Sequence, residues 1–239
     1  MSVADHYENL LAEHYSWMGG RFEEGVAAQR ALLSSLGIAG GGRALDLGSG
    51  AGLQSVALAE LGFAVTAVDS SRKLLNELET RRGRLPIATL ERDIADIAAF
   101  VEPGFDVAVC MGDTLTHLPS LAAVGRMFDG VAAVLAPPGL FVLTFRDLTM
   151  PLAGIDRFIP VRSDADRIMT CFLEYEPETV LIHDLIHTRR GREWVLNKSS
   201  YRKLRLAPAW VASALEARGF SVLSTGPSGR MTAIVARRN

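Results

Sequence analysis

The chain has 239 residues, 49% of them hydrophobic and 22% charged, with a formal net charge of −2. That balance fits one globular domain and gives no general attraction to nucleic acid, and no apolar run approaches the ~18 residues needed to cross a bilayer. The opening MSVADHYENLLAEHY is acidic and amphipathic, without the basic and apolar stretches of a secretion signal. The two cysteines, Cys110 and Cys171, lie in apolar strand-like runs, so a reducing cytoplasm is expected rather than a disulfide scaffold.

In chain order, residues 3–18 and 22–36 carry helical patterns, parted at Gly19-Gly20 and ended by Gly37. The rhythm then changes to strands at 43–48, 63–69, 86–93, 105–113 and 140–147, separated by helical stretches at 53–62, 70–82, 95–101 and 121–136. The last of these helices is expected to stop at Pro137-Pro138-Gly139. Strands alternating with helices at this spacing predict a doubly wound, mostly parallel α/β sheet covered on both faces.

Beyond Asp147 the pattern becomes strand after strand. Residues 167–176, 179–190 and 193–206 are joined by Pro177-Glu178 and Arg190-Gly191-Arg192, which reads as an antiparallel meander. A helix at 208–218 and strands at 220–225 and 232–237 restore the α/β order, with a short link at 226–231 that suits a final antiparallel hairpin. Residues 1–239 are thus expected to form one domain on a seven-stranded sheet. Residues 1–40 would be a helical cap and 148–206 an inserted antiparallel subdomain.

The stretch ALDLGSGAGL at 44–53 sets Gly48, Gly50 and Gly52 on alternate positions at the first strand-to-helix bend. One glycine serves a turn; three imply a backbone that something approaches closely. A dinucleotide fingerprint would need glycine where Leu53 stands, whereas the pattern from Asp46 to Gly52 is D-x-G-x-G-x-G. That pattern resembles the first motif of class I S-adenosylmethionine-dependent methyltransferases, a Rossmann-like family. The following strand ends support it: Asp69 after FAVTAV, Asp93 in ERD, and Met111-Gly112 after FDVAVC.

The resemblance implies S-adenosyl-L-methionine as cofactor and S-adenosyl-L-homocysteine as product. Asp46, Gly48, Ser49, Gly50 and Gly52 would hold the amino-acid part, Asp69 and Ser70 the ribose, and Asp93, Ile94, Met111 and Gly112 the adenine. Two alternatives stay open at this point. Gly52 also suits close helix packing, and Asp69 or Asp93 suits a helix cap.

The segment MGDTLTHLPS (111–120) follows the fourth strand, where the acceptor crevice is expected. It lacks the Asn/Asp-Pro-Pro-aromatic motif of enzymes that methylate adenine or glutamine, and Cys110 lacks the preceding proline of cytosine-carbon methylation. VCMGDTLTHLP is similar to the corresponding stretch of glycine and sarcosine N-methyltransferases, with Asp113 where asparagine is common. A small-molecule methyl acceptor, methylated at N or O by direct displacement, is the resulting expectation, with no nucleic-acid or membrane partner and a monomer or homodimer.

His117 is the candidate general base and Asp113 a candidate for orienting an amine. Arg146, and the Tyr201 and Lys203 face of the last meander strand, are candidates for acceptor binding. Tyr15, Trp17 and Arg21 are candidates for a lid; a solvated face, or aromatic residues in the core, are the plainer alternatives. His183 and His187 have metal-like spacing but lie in a strand-like run without a third ligand, so no metal is expected. The rival readings are an NAD(P)-dependent oxidoreductase and a cofactor-binding module without turnover.

Overall fold

A computed structural model describes residues 3–239; residues 1 and 2, the head of the expected cap, lie outside the described residues. Helix α1 (Val3–His6), a π turn over Tyr7–Leu11 and α2 (Ala12–Gly19) run on from one another, and α3 (Phe22–Ser35) follows. Then come β1 (Gly42–Leu47), α4 (Leu53–Glu60), β2 (Phe63–Asp69), α5 (Arg72–Arg81), β3 (Ile87–Glu91) and β4 (Phe105–Cys110). After these come α6 (Leu121–Val134), β5 (Leu135–Phe145) and the strands β6 (Phe158–Ser163), β7 (Arg167–Tyr175), β8 (Thr179–Arg190) and β9 (Glu193–Leu204). The chain ends with α7 (Pro208–Glu216), β10 (Phe220–Ser228) and β11 (Met231–Arg238).

Seven strands form one sheet in the order β10-β11-β5-β4-β1-β2-β3, parallel except for β11, which is antiparallel to both neighbours. Side chains alternate across a strand, and both faces are covered. Leu45, Leu47, Ala108, Cys110, Phe141 and Leu143 pack with Phe128, Val131 and Leu215 on one face. Ala44, Val65, Val107, Val109 and Val142 pack with Leu33, Leu58, Leu75 and Leu78 on the other. The continuous apolar runs of β1 and β4 follow from that double burial.

Strands β6-β7-β8-β9 form a separate antiparallel sheet. On β8, Val180, Ile182, Asp184 and Ile186 are buried while the residues between them are half-buried. That inner face meets the N-terminal helices through Leu11, Met169 and Ile186. No helix among the described residues is long and apolar enough to cross a membrane.

Three local expectations are corrected, and a fourth, the short helical piece near 95–101, is met with shifted bounds. Strand β6 was not expected: it is exposed along most of its length and carries Pro160, so it lacks the alternation that marks a half-buried strand. The helix expected at 121–136 ends at Val134, and Pro137-Pro138-Gly139 lie inside β5. Its pairing with β4 jumps there, from Phe105–Leu135 to Val107–Leu140, so the prolines owe the ladder no N–H. The final hairpin is tighter than the expected 226–231 link, since its strands run to Ser228 and resume at Met231. The piece expected at 95–101 is a 3₁₀ turn over Ile94–Ala99, capped by Asp93.

Gly52 has a packing reason. It precedes α4 with φ +96°, and a Cβ there would lie 2.3 Å from Leu78 Cδ1 in the core. Gly52→Ala is expected to lose about 2–4 kcal/mol from overpacking together with left-handed strain. Urea denaturation would measure it, and an unchanged midpoint would refute the packing account.

Candidate active site

The carboxyl ends of β1, β2, β3 and β4 open onto a cavity of about 460 Å³. The loop after β1 is tied down by its own amides: Gly48 and Ser49 donate N–H to the Val68 carbonyl at 2.8 and 3.0 Å. At the end of β2, one Asp69 oxygen accepts the Gly50 N–H and the other the Ser71 N–H, each at 2.8 Å. Burial raises the Asp69 pKa despite these bonds. One Asp93 oxygen accepts the Ala95 N–H at 2.9 Å. Gly112, after β4, donates to Thr144 Oγ1 at 2.9 Å.

Of the residues expected around a cofactor, Gly48, Gly50, Asp69, Ser70, Asp93, Ile94 and Gly112 line this cavity. Asp46, Ser49, Gly52 and Met111 stand behind its wall. Asp46 is buried beneath the glycine bend and accepts a 2.5 Å hydrogen bond from Ser55 Oγ; burial pushes its pKa up to about 7. Gly48 is needed for a neighbour as well as for a ligand, because a Cβ would lie 2.2 Å from Thr114 Cγ2. Gly50 would set a Cβ 3.3 Å from the Tyr15 hydroxyl.

A second cavity, of about 470 Å³, lies between the main sheet, the small sheet and the N-terminal helices. Tyr7, Tyr15, Gly112, His117 and Lys203 line both cavities, so these residues mark where the two meet. Apolar side chains such as Leu11, Leu148, Ile159, Met169 and Ile182 form much of the second wall. Arg146 and Tyr201 stand in it as well. Strand alternation brings Tyr201 and Lys203 to the same side of β9, facing this crevice rather than solvent.

Asp113 is a clamp. Its carboxylate takes Lys203 Nζ at 2.6 Å, the Arg146 backbone N–H at 2.9 Å and Thr116 Oγ1 at 3.0 Å, with Arg146 Nε at 3.4 Å. Burial works to raise its pKa, but Lys203 above all, then His117, hold it below the usual carboxylate range. With these partners it joins β4, β5 and β9, and it is not free to take a substrate proton.

His117 is half-buried, and its Nε2, closed off from solvent, has no partner among the described residues. Burial and then the charge of Lys203 push its pKa down to about 3, against the pull of Asp113. The imidazole is therefore neutral at neutral pH.

Trp17 and Arg21 do not reach either cavity. Trp17 donates its indole N–H to Asp164 and lies under Arg167, while the exposed Arg21 pairs with Glu24. His183 pairs with Glu174, and among the described residues no cluster of three or more His, Cys, Asp or Glu could hold a metal.

Sequence reasoning missed Tyr7, His6 and Asp184. His6 Nε2 lies 2.8 Å from Asp184 Oδ2, both fully buried, and Cys171 Sγ donates to the other Asp184 oxygen at 2.8 Å. The signal for Tyr7 was present, since Tyr7, Leu11 and Tyr15 are spaced four apart on one helical stripe. The partnership of His6 with a residue 178 positions away left no local mark.

The first cavity fits an adenosyl amino-acid cofactor. Asp69 accepts backbone N–H groups at both oxygens and lines the cavity, where its carboxylate can also accept ribose hydroxyls. The buried Ser49 hydroxyl, in the glycine bend, has no partner among the described residues.

Comparison with known proteins agrees with this geometry. The methyltransferase domain family model matches residues 44–139. The cypemycin N-terminal methyltransferase of Streptomyces sp is 32% identical over 190 residues, covering 72% of this chain and 76% of that protein. The glycine/sarcosine N-methyltransferase of Aphanothece halophytica is 28% identical over 160 residues, covering 62% of this chain and 58% of the relative. In fold, an S-adenosylmethionine-dependent methyltransferase from Clostridium acetobutylicum superposes with a TM-score of 0.77 at 15% identity, over 99% of this chain and 97% of the other.

Proposed function

The chain belongs to the class I S-adenosylmethionine-dependent methyltransferases, and we propose that it methylates a nitrogen or oxygen of a small molecule held in the second cavity. When bound, S-adenosylmethionine supplies a methyl group already activated by a sulfonium charge, and it leaves as S-adenosylhomocysteine.

The protein's part is to align, to exclude water and to handle a proton. Asp69 receives the ribose hydroxyls, and the glycine bend, its amides spent on Val68 and Asp69, offers the unpartnered Ser49 hydroxyl to the amino-acid end. Asp46 sets the potential beneath them. Asp93, Ile94 and Gly112 border the adenine, with Ser70 and Met111 shaping the rim and floor. Neutral His117, with its free buried nitrogen, accepts a hydrogen bond from the acceptor and steers its lone pair. Arg146, Lys203 and Tyr201 shape the acceptor's chamber.

In this reading residues 1–40 act as a cap and 148–206 as the acceptor-side subdomain of a single 1–239 domain. The protein works in the cytoplasm as a monomer or homodimer. The names of some relatives add one point of support: the Aphanothece halophytica and Rattus norvegicus proteins are glycine/sarcosine and glycine N-methyltransferases.

The observation that carries the reading is the meeting of two cavities at Gly112 and His117, one rimmed by the glycine bend and strand-end carboxylates, the other largely apolar. Thermal denaturation tests it. Saturating S-adenosylhomocysteine is expected to raise the midpoint by several degrees while NAD leaves it unchanged. Stabilisation by NAD instead would support the oxidoreductase reading and defeat this one.

A further inference from the structure

We propose that the methyl acceptor is an alkyl amine, and that Tyr7, Tyr15 and His117, backed by Tyr201, form an aromatic box for positive charge where the two cavities meet. This rests on the reading above and narrows its nitrogen-or-oxygen acceptor to nitrogen.

The rings are contiguous. Tyr7 lies 6.0 Å from Tyr15 and 5.8 Å from His117, centroid to centroid, and His117 lies 5.6 Å from Tyr201. His6 stacks on Tyr201 at 4.3 Å and completes the back wall. Tyr7, Tyr15 and His117 each face both cavities, so a methyl group passing between them passes these rings. Aromatic faces carry negative potential and attract sulfonium and ammonium groups.

Three carboxylates stand around the box, two of them paired: Asp113 with Lys203 and Asp184 with His6. Asp69, Asp184 and Asp113 all act as negative neighbours of the Tyr7 phenol, and Asp184 and Asp113 act so on Tyr201. The phenols stay protonated, with burial and then Asp69 pushing Tyr15 up to about 12. The cation at the junction, Lys203, has its Nζ 2.6 Å from Asp113, and Arg146 leans on the same carboxylate. Lys203 also lies 5.7 Å from the Tyr201 ring centroid, so one face of this group already accommodates a cation.

Reaction charge then selects the acceptor. A neutral amine uses its lone pair to form the C–N bond while the C–S bond breaks, and that bond's electron pair stays on sulfur. The positive charge moves to nitrogen and remains in the box until an N–H proton leaves. Methylation of a hydroxyl needs the proton removed at or before transfer, and the positive charge is extinguished. Neutral His117, whose proton affinity is depressed by burial and Lys203, is poorly suited to that removal but well suited to accepting an amine N–H hydrogen bond. An environment favourable to a cation both before and after transfer serves nitrogen.

Benzyltrimethylammonium, permanently charged and unable to be methylated, is the probe, titrated by calorimetry into protein saturated with S-adenosylhomocysteine. Benzyl alcohol is the neutral comparison. Wild type is expected to bind the cation more tightly than the alcohol. Tyr7→Phe, which keeps the ring face, should stay within about twofold, while Tyr7→Leu and Tyr15→Leu weaken the cation about tenfold and the alcohol little. No preference for the cation in wild type, leucine variants equal to wild type, or Tyr7→Phe behaving like Tyr7→Leu would each overturn the proposal. S-adenosylhomocysteine affinity, measured first on wild type and on each variant, separates the failures. Its absence in wild type removes the methyltransferase reading and this proposal with it, whereas its presence without cation selectivity removes this proposal alone.

Discussion

Replacing Asp69 with alanine is expected to weaken S-adenosylhomocysteine binding about 10²–10⁴-fold while the protein stays folded. The carboxylate closes β2 and fixes two amides, those of Gly50 and Ser71, that shape the cavity on either side. Two bonds from ribose hydroxyls to a charged acceptor are worth about 1.5–3 kcal/mol each, which sets the scale of the loss. The strand itself is held by Val65, Ala67 and Val68, all buried, so its fold does not depend on the carboxylate. Asp69→Asn should fall between wild type and alanine, because the amide keeps one acceptor oxygen but loses the charge. Calorimetry on folded Asp69→Ala decides the matter: an affinity equal to wild type would dismiss Asp69 as a ribose ligand.

The second large effect is on stability and depends on pH. Burial raises the Asp46 pKa to about 7, well above its value in an unfolded chain. The folded state therefore holds a proton that the unfolded state releases from about pH 4 upward. Stability from this group is greatest below the unfolded pKa and is lost as pH rises through the folded one. Asp46→Asn removes the titration while an amide oxygen can still accept from Ser55. Its stability advantage over wild type should grow by about 3 kcal/mol between pH 4 and pH 8 and then level off. At pH 8, where folded Asp46 is mostly ionised, the same variant should bind S-adenosylhomocysteine more weakly, since the negative charge beneath the glycine bend is gone. Urea denaturation across that pH range measures the first effect, and a difference that does not vary with pH would show that the buried carboxylate carries no such cost.

Much of the donor side was legible because its signals are local. Gly48 and Gly50 at a strand-to-helix bend put a glycine loop at the end of β1, and the resemblance carried by that motif pointed to Asp69 and Asp93 beyond the next two strands. Gly52 fits the same motif, yet the side chain that requires it is Leu78, on a helix 26 positions along, and only packing could separate the two reasons. Asp113 was misread for a related cause. Its partners Lys203 and Arg146 arrive from distant strands and turn a candidate reactive group into an ion-paired support. Strand β6 escaped because an exposed edge needs no apolar alternation, and β5 began early because a bulge absorbs the prolines. The second cavity was the least legible part. It is assembled from the N-terminal helices, β5 and the small sheet, and contacts of that span leave no spacing rule in a sequence.

The triple attachment of Asp113 has a consequence for altering what this enzyme accepts. One carboxylate rivets the small sheet to the end of the large one, and the apolar wall of Leu148, Ile159, Met169 and Ile182 takes no part in that attachment. Repacking that wall changes the room's depth and leaves the rivet, and with it the distance between the two chambers, untouched. Changing Lys203 or Asp113 removes a tie between the two sheets, so reshaping for a bulkier guest begins at the apolar wall.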